Sequence, residues 1–234
     1  MKTFYKKIFL IFCKMHITVK NIIQINTEIQ KEIEILNYNR YFPNIIAVSK
    51  TFPMSEIKPL IDHGHIHFGE NKVQEAIEKW QEEINKNSKV KLHMIGKLQR
   101  NKVKHAVQLF HYIHSVDNLK LAQKIAEEQI KQNKKIKIFL QINIGDEEQK
   151  SGIPLEEVQN LYNDCLKLNL NVIGLMCLPP LDNKASTYFK DIKNMNDDLS
   201  MNELSIGMSN DYLEAVKFKS TFLRIGTKIF GARN

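Results

Sequence analysis

The sequence predicts an α/β protein, a single (β/α)8 TIM-type barrel with an extra helix ahead of its first strand. Two observations carry this expectation. Eight short apolar runs alternate with seven segments of helical period. A strand followed by a helix is the unit that returns the chain to lay the next strand parallel. Eight such units fit in about 200 residues, within the usual span of a barrel. A doubly wound open sheet is the other architecture this alternation allows, but no GxGxxG follows the first strand.

The elements follow in order. From His16 to about Asn37, apolar residues recur at Ile22, Ile25, Ile29, Ile33 and Leu36, which is the spacing of one helix face. Strands are then expected at Ile45–Ser49, Ile66–Gly69, Leu92–Gly96, Tyr112–Val116, Ile136–Ile144, Val172–Leu178, Glu203–Met208 and Leu223–Phe230. Helices are expected between them at Ser55–His63, Asn71–Asn85, Asn101–Leu109, Asn118–Lys131, Pro154–Leu168, Ala185–Leu199 and Asn210–Lys217. No low-complexity linker or change of composition divides the chain. Residues 15–234 therefore read as one domain, and residues 1–14 as a dispensable or non-native leader.

Hydrophobic residues make up 43% and charged residues 26% of the 234, the balance of a soluble globular protein with a sizeable core. No run approaches the roughly 20 apolar residues of a membrane-spanning helix. The formal charge is +8, yet Lys2, Lys6, Lys7, Lys14 and Lys20 fall in the first twenty residues, where there is no acid. Without the four lysines before Met15 the excess is 8 − 4 = +4, thin ground for a nucleic-acid partner. The opening MKTFYKKIFLIFCKM has the charged start of a secretory signal. Its apolar run, Ile8 to Cys13, is shorter than the roughly 7–15 residues usual there, and no small-residue cleavage site follows. Cys13, Cys165 and Cys177 are odd in number and form no CxxC. They point to a reducing compartment, the cytoplasm, and away from disulfides or zinc. His63, His65 and His67 alternate as metal ligands could, but with no HExxH or cysteine cluster they read as a strand entry, and no metal is expected.

In a barrel the functional face lies at the C-terminal ends of the strands. Those ends read AVSKTFP, HFGENKVQEA, HMIGKLQRNK, HSVDN, QINIGDEEQKSG, GLMCLPP, SIGMSND and LRIGTKIFGAR, and polar, glycine and lysine residues gather in them. Lys50 closes the first strand. It is either an ordinary surface lysine or an amine beside a low-dielectric core, where the charged form is penalised and the nucleophile exposed. The last strand weighs toward the second reading. Gly226 and Thr227 follow Arg224 closely, and a glycine there lets backbone N–H groups approach an anion. Barrel phosphate sites lie around strands 7 and 8, and Ser209 at the end of strand 7 adds a hydroxyl. A phosphate on one side and an amine on the other suit a phosphorylated aldehyde, with pyridoxal 5′-phosphate (PLP) the foremost candidate.

The stretches AVSKTFP, FGENKVQEA, HMIGKLQRNK, HSVDN, NIGDEEQKSG, GLMCLPP and LSIGMSNDYLEAVKFKSTFLRIGTKIFGAR occur in this order from Met15 to Arg233. They resemble the PLP homeostasis protein family, single barrels similar to the N-terminal domain of alanine racemase. The resemblance implies that Lys50 is the lysine that forms the internal aldimine and that Arg224 faces the pyridine nitrogen. It implies phosphate contacts at Ser209, Gly226 and Thr227, and pocket-lining positions at Asn71 and Met208. Lys150, in EEQKSG, matches a basic position at the pocket mouth, where a solvated loop lysine is an equal alternative. One departure is visible: Lys219 stands where family members usually have glycine before the Ser-Thr pair. If that turn needs a positive φ, lysine there is strained by about 1 kcal/mol. Ser220 and Thr221 are therefore left out of the expected site.

A guanidinium against the pyridine nitrogen disfavours its protonation and makes the ring a poorer electron sink. Racemases of this arrangement rely on a second acid/base from another domain, for which the residues after IFG leave no room. The expectation is a non-catalytic, monomeric carrier of PLP that buffers or delivers it, with PLP-dependent apo-enzymes as partners and neither nucleic acid nor membrane. Two alternatives stay open: a weak amino-acid racemase, and an RNA- or membrane-associated module driven by the lysine-rich leader.

Overall fold

A computed structural model describes residues 15–145, 151–180, 182 and 184–232. The leader, Cys13 and Lys150 lie outside the described residues. Eight parallel strands close into a barrel in chain order, with β8 returning to pair with β1. They are β1 (Asn44–Val48), β2 (His67–Glu70), β3 (Lys91–Met94), β4 (Tyr112–Val116), β5 (Lys137–Ile142), β6 (Asn171–Cys177), β7 (Glu203–Met208) and β8 (Phe222–Ile225). The helices are α1 (Ile17–Ile35), α2 (Met54–Asp62), α3 (Val73–Lys86), α4 (Val103–Leu109), α5 (Leu119–Gln132), α6 (Val158–Lys167), α7 (Ala185–Asp198), α8 (Tyr212–Lys217) and α9 (Thr227–Phe230). Short 3-10 turns, Arg100–Lys102 and Leu155–Glu157, lead into α4 and α6, where the sequence predicts continuous helix.

The strands are apolar almost throughout because both faces are covered. On β1, Ile45 and Ala47 join the layer between barrel and helices. Ile46 points the other way and meets Tyr112, Phe139, Met176 and Phe222 inside the barrel. The leading helix buries Ile22, Ile25, Ile29 and Ile33, the expected stripe, and packs on α2, α8 and α9. Each such isoleucine removed from water contributes about 1.5–3 kcal/mol before ordering costs are counted.

One expected element is corrected. The last strand does not run to Phe230: it stops at Ile225, and Thr227–Phe230 forms a helical turn. Its partner β1 stops at Val48, so a longer β8 would leave its amides unpaired at the rim. The chain coils instead, and the carbonyl of Gly226 accepts from the N–H groups of Ile229 and Phe230, both at 2.9 Å. At the opposite rim, in the turn between α8 and β8, Lys219 adopts φ +55°. That is the left-handed conformation which glycine, expected there from the resemblance, occupies without cost.

Candidate functional site

The end of β1 rests on a buried ionic platform. Glu70, the last residue of β2, is fully buried. Its Oε1 accepts from the hydroxyl of Ser49 at 2.7 Å, the indole N–H of Trp80 at 2.9 Å and the ammonium of Lys79 at 3.1 Å. Burial pushes the Glu70 carboxyl up from the usual range, against the pull of Lys79, Trp80 and Ser49. Lys79 also donates to the Ser49 carbonyl at 2.9 Å and to Glu75 at 2.9 Å. Lys50 follows directly, half-buried, and Thr51 after it adopts φ +69°. A β-branched residue is strained there by about 1–3 kcal/mol. The Thr51 N–H, donating to Glu75 Oε1 at 2.5 Å, holds it.

On the other side, Gly207 shapes the end of β7. Its φ is +90°, and a Cβ there would lie 2.5 Å from the Cβ of Ala215. The β7–β8 register shifts between Ser205 and Met208 at this point, so the backbone turns where glycine alone fits. Met208 and Ser209 are thereby presented at the rim. The Met208 N–H donates to Asp211 Oδ1 at 2.5 Å, and the hydroxyl oxygen of Ser209 accepts from the N–H groups of Gly226 at 3.3 Å and Lys228 at 3.5 Å. Gly226 itself has an ordinary φ of −114°. A Cβ there would make only ordinary contact, 3.4 Å from Val48.

Arg224 rises from β8 inside the barrel and is 4% exposed. Its Nη1 donates to the carbonyl of Ser205 at 2.5 Å and to the hydroxyl at 2.6 Å, and its Nη2 donates to the Cys177 carbonyl at 2.6 Å. Burial draws its pKa down, opposed by Cys177 and the nearby Asp211. The Asp211 carboxyl is pushed up by burial, opposed by the Met208 N–H and Arg224.

All seven residues expected at the site meet around one hollow of about 270 Å³ at the C-terminal ends of the strands: Lys50, Asn71, Met208, Ser209, Arg224, Gly226 and Thr227. Val48, Ile95, Leu178, Asn210 and Asp211 complete the lining and were not singled out in the sequence. Asp211 falls inside the helix expected from Asn210, and the apolar three are ordinary strand-end residues, so none of them carries a sequence signal. Ser220 and Thr221 stand at the far rim, where the Ser220 hydroxyl donates to the Ile206 carbonyl at 2.8 Å. A wider groove of about 830 Å³, beside Arg100, Lys120 and Glu127, contains none of the expected residues. Of the histidines in HGHIH, only His67 enters the barrel strands. Among the described residues no group of three or more His, Cys, Asp or Glu side chains is arranged to hold a metal ion.

Fold and hollow together define a parallel (β/α)8 barrel with a cationic, partly apolar cleft between its first, second and last two strands. Residues 35–234 match the family model described as alanine racemase, N-terminal domain. The chain belongs to this family and, within it, to the pyridoxal phosphate homeostasis proteins. The pyridoxal phosphate homeostasis protein of Pasteurella multocida is 35% identical over 92% of this chain and 97% of its own length. That of Haemophilus influenzae is 37% identical over 88% and 93%. The structure of PipY from Synechococcus elongatus, solved with PLP bound, superposes with a TM-score of 0.74 at 32% identity. The match covers 87% of this chain and the whole of PipY.

Proposed function

We propose that this chain is a cytoplasmic, monomeric PLP-binding protein that holds the cofactor covalently on Lys50. Its role is to buffer and deliver PLP to apo-enzymes without turning over a substrate of its own. One observation carries the reading. An amine, a guanidinium, a hydroxyl and a glycine-lined backbone turn converge on a single hollow, in a chain whose relatives are named for PLP homeostasis.

The donor set fits the cofactor's three handles. The Lys50 amine condenses with an aldehyde, forming a Schiff base and releasing water. Arg224 sets a fixed positive charge beside the ring and disfavours protonation of the pyridine nitrogen. Ser209 and the N–H groups of Gly226 and Thr227 take the phosphate oxygens. Asn71 and Met208 flank the ring. When bound, PLP supplies an electrophilic carbon and an electron-withdrawing ring. The described lining offers one carboxyl, Asp211, already engaged by the Met208 N–H, and no histidine, tyrosine or cysteine to exchange a substrate proton. That lining supports carriage over catalysis.

The family's racemase kinship favours a second reading, weak amino-acid racemization. An absorbance titration separates the possibilities. The wild-type protein is expected to turn yellow with PLP and, once borohydride has reduced the imine to a secondary amine and bleached the band, to retain the cofactor covalently, whereas Lys50→Ala retains none. A wild-type protein that remains apo in excess PLP overturns the proposal. Steady exchange of the Cα proton of either alanine enantiomer would establish the racemase reading instead.

A further inference from the structure

A line of polar side chains crosses the barrel interior beneath the hollow. His67 on β2, His93 on β3, His114 on β4 and Ser205 on β7 lead to Arg224 on β8, and all are buried. His67 Nδ1 lies 2.9 Å from His93 Nε2, His93 Nδ1 lies 2.9 Å from His114 Nε2, and His114 Nδ1 lies 3.0 Å from the Ser205 hydroxyl. The rings are clamped. His93 stacks on Tyr112 with centroids 4.1 Å apart, and His114 stacks on Phe139 at 4.2 Å.

Elementary hydrogen-bond counting gives this line a direction. Arginine donates only, so the Ser205 oxygen accepts from Arg224 and its single proton is left for His114 Nδ1. A ring that accepts at Nδ1 and stays neutral carries its proton on Nε2 and donates it onward. His114 therefore donates to His93, and His93 to His67. The reverse direction would make the Ser205 oxygen accept twice and leave its proton needing another acceptor in the core. It would also aim three N–H dipoles at a buried cation. Both costs point the same way. Charging the rings is opposed too: burial first, then His114 and His67 in the case of His93, and Arg224 in the case of His114, hold both well below the usual histidine range.

We propose that His114, acting through Ser205, is a positioning residue for Arg224, and that His93 and His67 complete a one-way relay of neutral Nε2–H tautomers. The relay turns acceptor lone pairs toward the guanidinium. Among the described residues no carboxylate bonds Arg224; it is held by the Ser205 hydroxyl and the carbonyls of Ser205 and Cys177. Dipoles solvate a buried cation without cancelling its charge. Resting on the reading that Arg224 faces the pyridine nitrogen, this makes the relay the device that keeps that positive charge fixed in place and undiminished.

Two measurements test it. Long-range 15N–1H NMR of the apo protein at pH 7 is expected to show protonated Nε2 and bare Nδ1 at His67, His93 and His114. An Nδ1–H tautomer or an imidazolium at any of the three overturns the relay. PLP titration of Ser205→Ala and His114→Phe is expected to show affinity weakened about tenfold or more, the scale of a lost charge-assisted hydrogen bond, with a shifted absorption band. His114→Asn, which restores an acceptor near Nδ1, recovers most of the loss. Folded variants that bind PLP with wild-type affinity and spectrum overturn the positioning role. If the variants fail to fold, or if the wild-type protein binds no PLP and the carrier reading falls, the ring nitrogens alone decide the relay.

Discussion

Arg224 and Ser205, on neighbouring strands, are joined twice, through the carbonyl at 2.5 Å and the hydroxyl at 2.6 Å, by one nitrogen of the guanidinium. The other terminal nitrogen reaches Cys177 on β6 at 2.6 Å. A lysine carries its three donors on one nitrogen and lacks the planar fork, so it does not reproduce the two separate nitrogens that reach Ser205 and Cys177. Arg224→Lys is expected to lower unfolding free energy by about 2–3 kcal/mol, since buried acceptors lose their donor. Denaturant melts check this, and absorbance titration of the same variant should show PLP binding weakened by about tenfold or more.

On the proposed function, Ser209 separates recognition of the phosphate from recognition of the ring. Its hydroxyl oxygen lies 3.3 Å from the Gly226 nitrogen, beside the backbone turn that would receive the phosphate. Ser209→Ala is expected to weaken PLP binding by about fivefold, the worth of one hydrogen bond near 1 kcal/mol. Binding of pyridoxal, which lacks the phosphate, should not change. Paired titrations of the two vitamers provide the check.

Lys219 adopts φ +55°, which costs a non-glycine residue about 1 kcal/mol or more. Part of this is recovered because its ammonium lies 4.7 Å from the centre of the Tyr38 ring. Lys219→Gly is expected to stabilise the protein by about 0.5–1 kcal/mol and raise the melting temperature by about 1–4 °C. Lys219→Ala, which keeps the strain and loses the ring contact, should lower it. Scanning calorimetry distinguishes the two.

Glu70 makes stability depend on pH. Burial raises its folded pKa above the unfolded value of 4.5. Its contribution is therefore fully present below that value and is lost as pH rises through the folded pKa. Glu70→Gln keeps an acceptor for Ser49, Trp80 and Lys79 but does not titrate. In urea melts its stability relative to wild type is expected to improve as pH rises above 4.5 and to level off once the folded carboxyl has ionised. Glu70→Ala, which leaves the Ser49 hydroxyl and the Trp80 indole without their acceptor and Lys79 with Glu75 and the Ser49 carbonyl, should cost about 2–3 kcal/mol at neutral pH.

Much of this is legible in the sequence. The alternation of apolar runs and helical stripes expresses a barrel directly, and the seven expected residues line one hollow because parallel strands end at a shared rim. Boundaries were less legible. The run from Leu223 to Phe230 is apolar enough for a strand, but the length of β1, its partner, decides where pairing stops. Within the site, Asp211 and the apolar lining escaped notice because their importance comes from proximity across the barrel and not from local pattern. The histidine relay was likewise hidden. His67, His93 and His114 lie on three different strands, and only closure of the barrel reveals that their rings form a line. The tight fit at Gly207 depends on Ala215 of a later helix, which sequence spacing alone does not convey.

The pairing of β1 with β8 has a consequence for how the protein comes into being. Lys50 leaves the ribosome early, but Arg224, Gly226 and Thr227 belong to the last strand and the turn after it. Until that strand docks against the first, Lys50 has neither Arg224 nor the Gly226–Thr227 turn across the hollow. A growing chain is thus unable to capture a reactive aldehyde in its proper seat before synthesis has passed β8. On the proposed attachment at Lys50, cofactor loading reports that the ring of strands has closed, and an unfinished or prematurely terminated chain should emerge colourless.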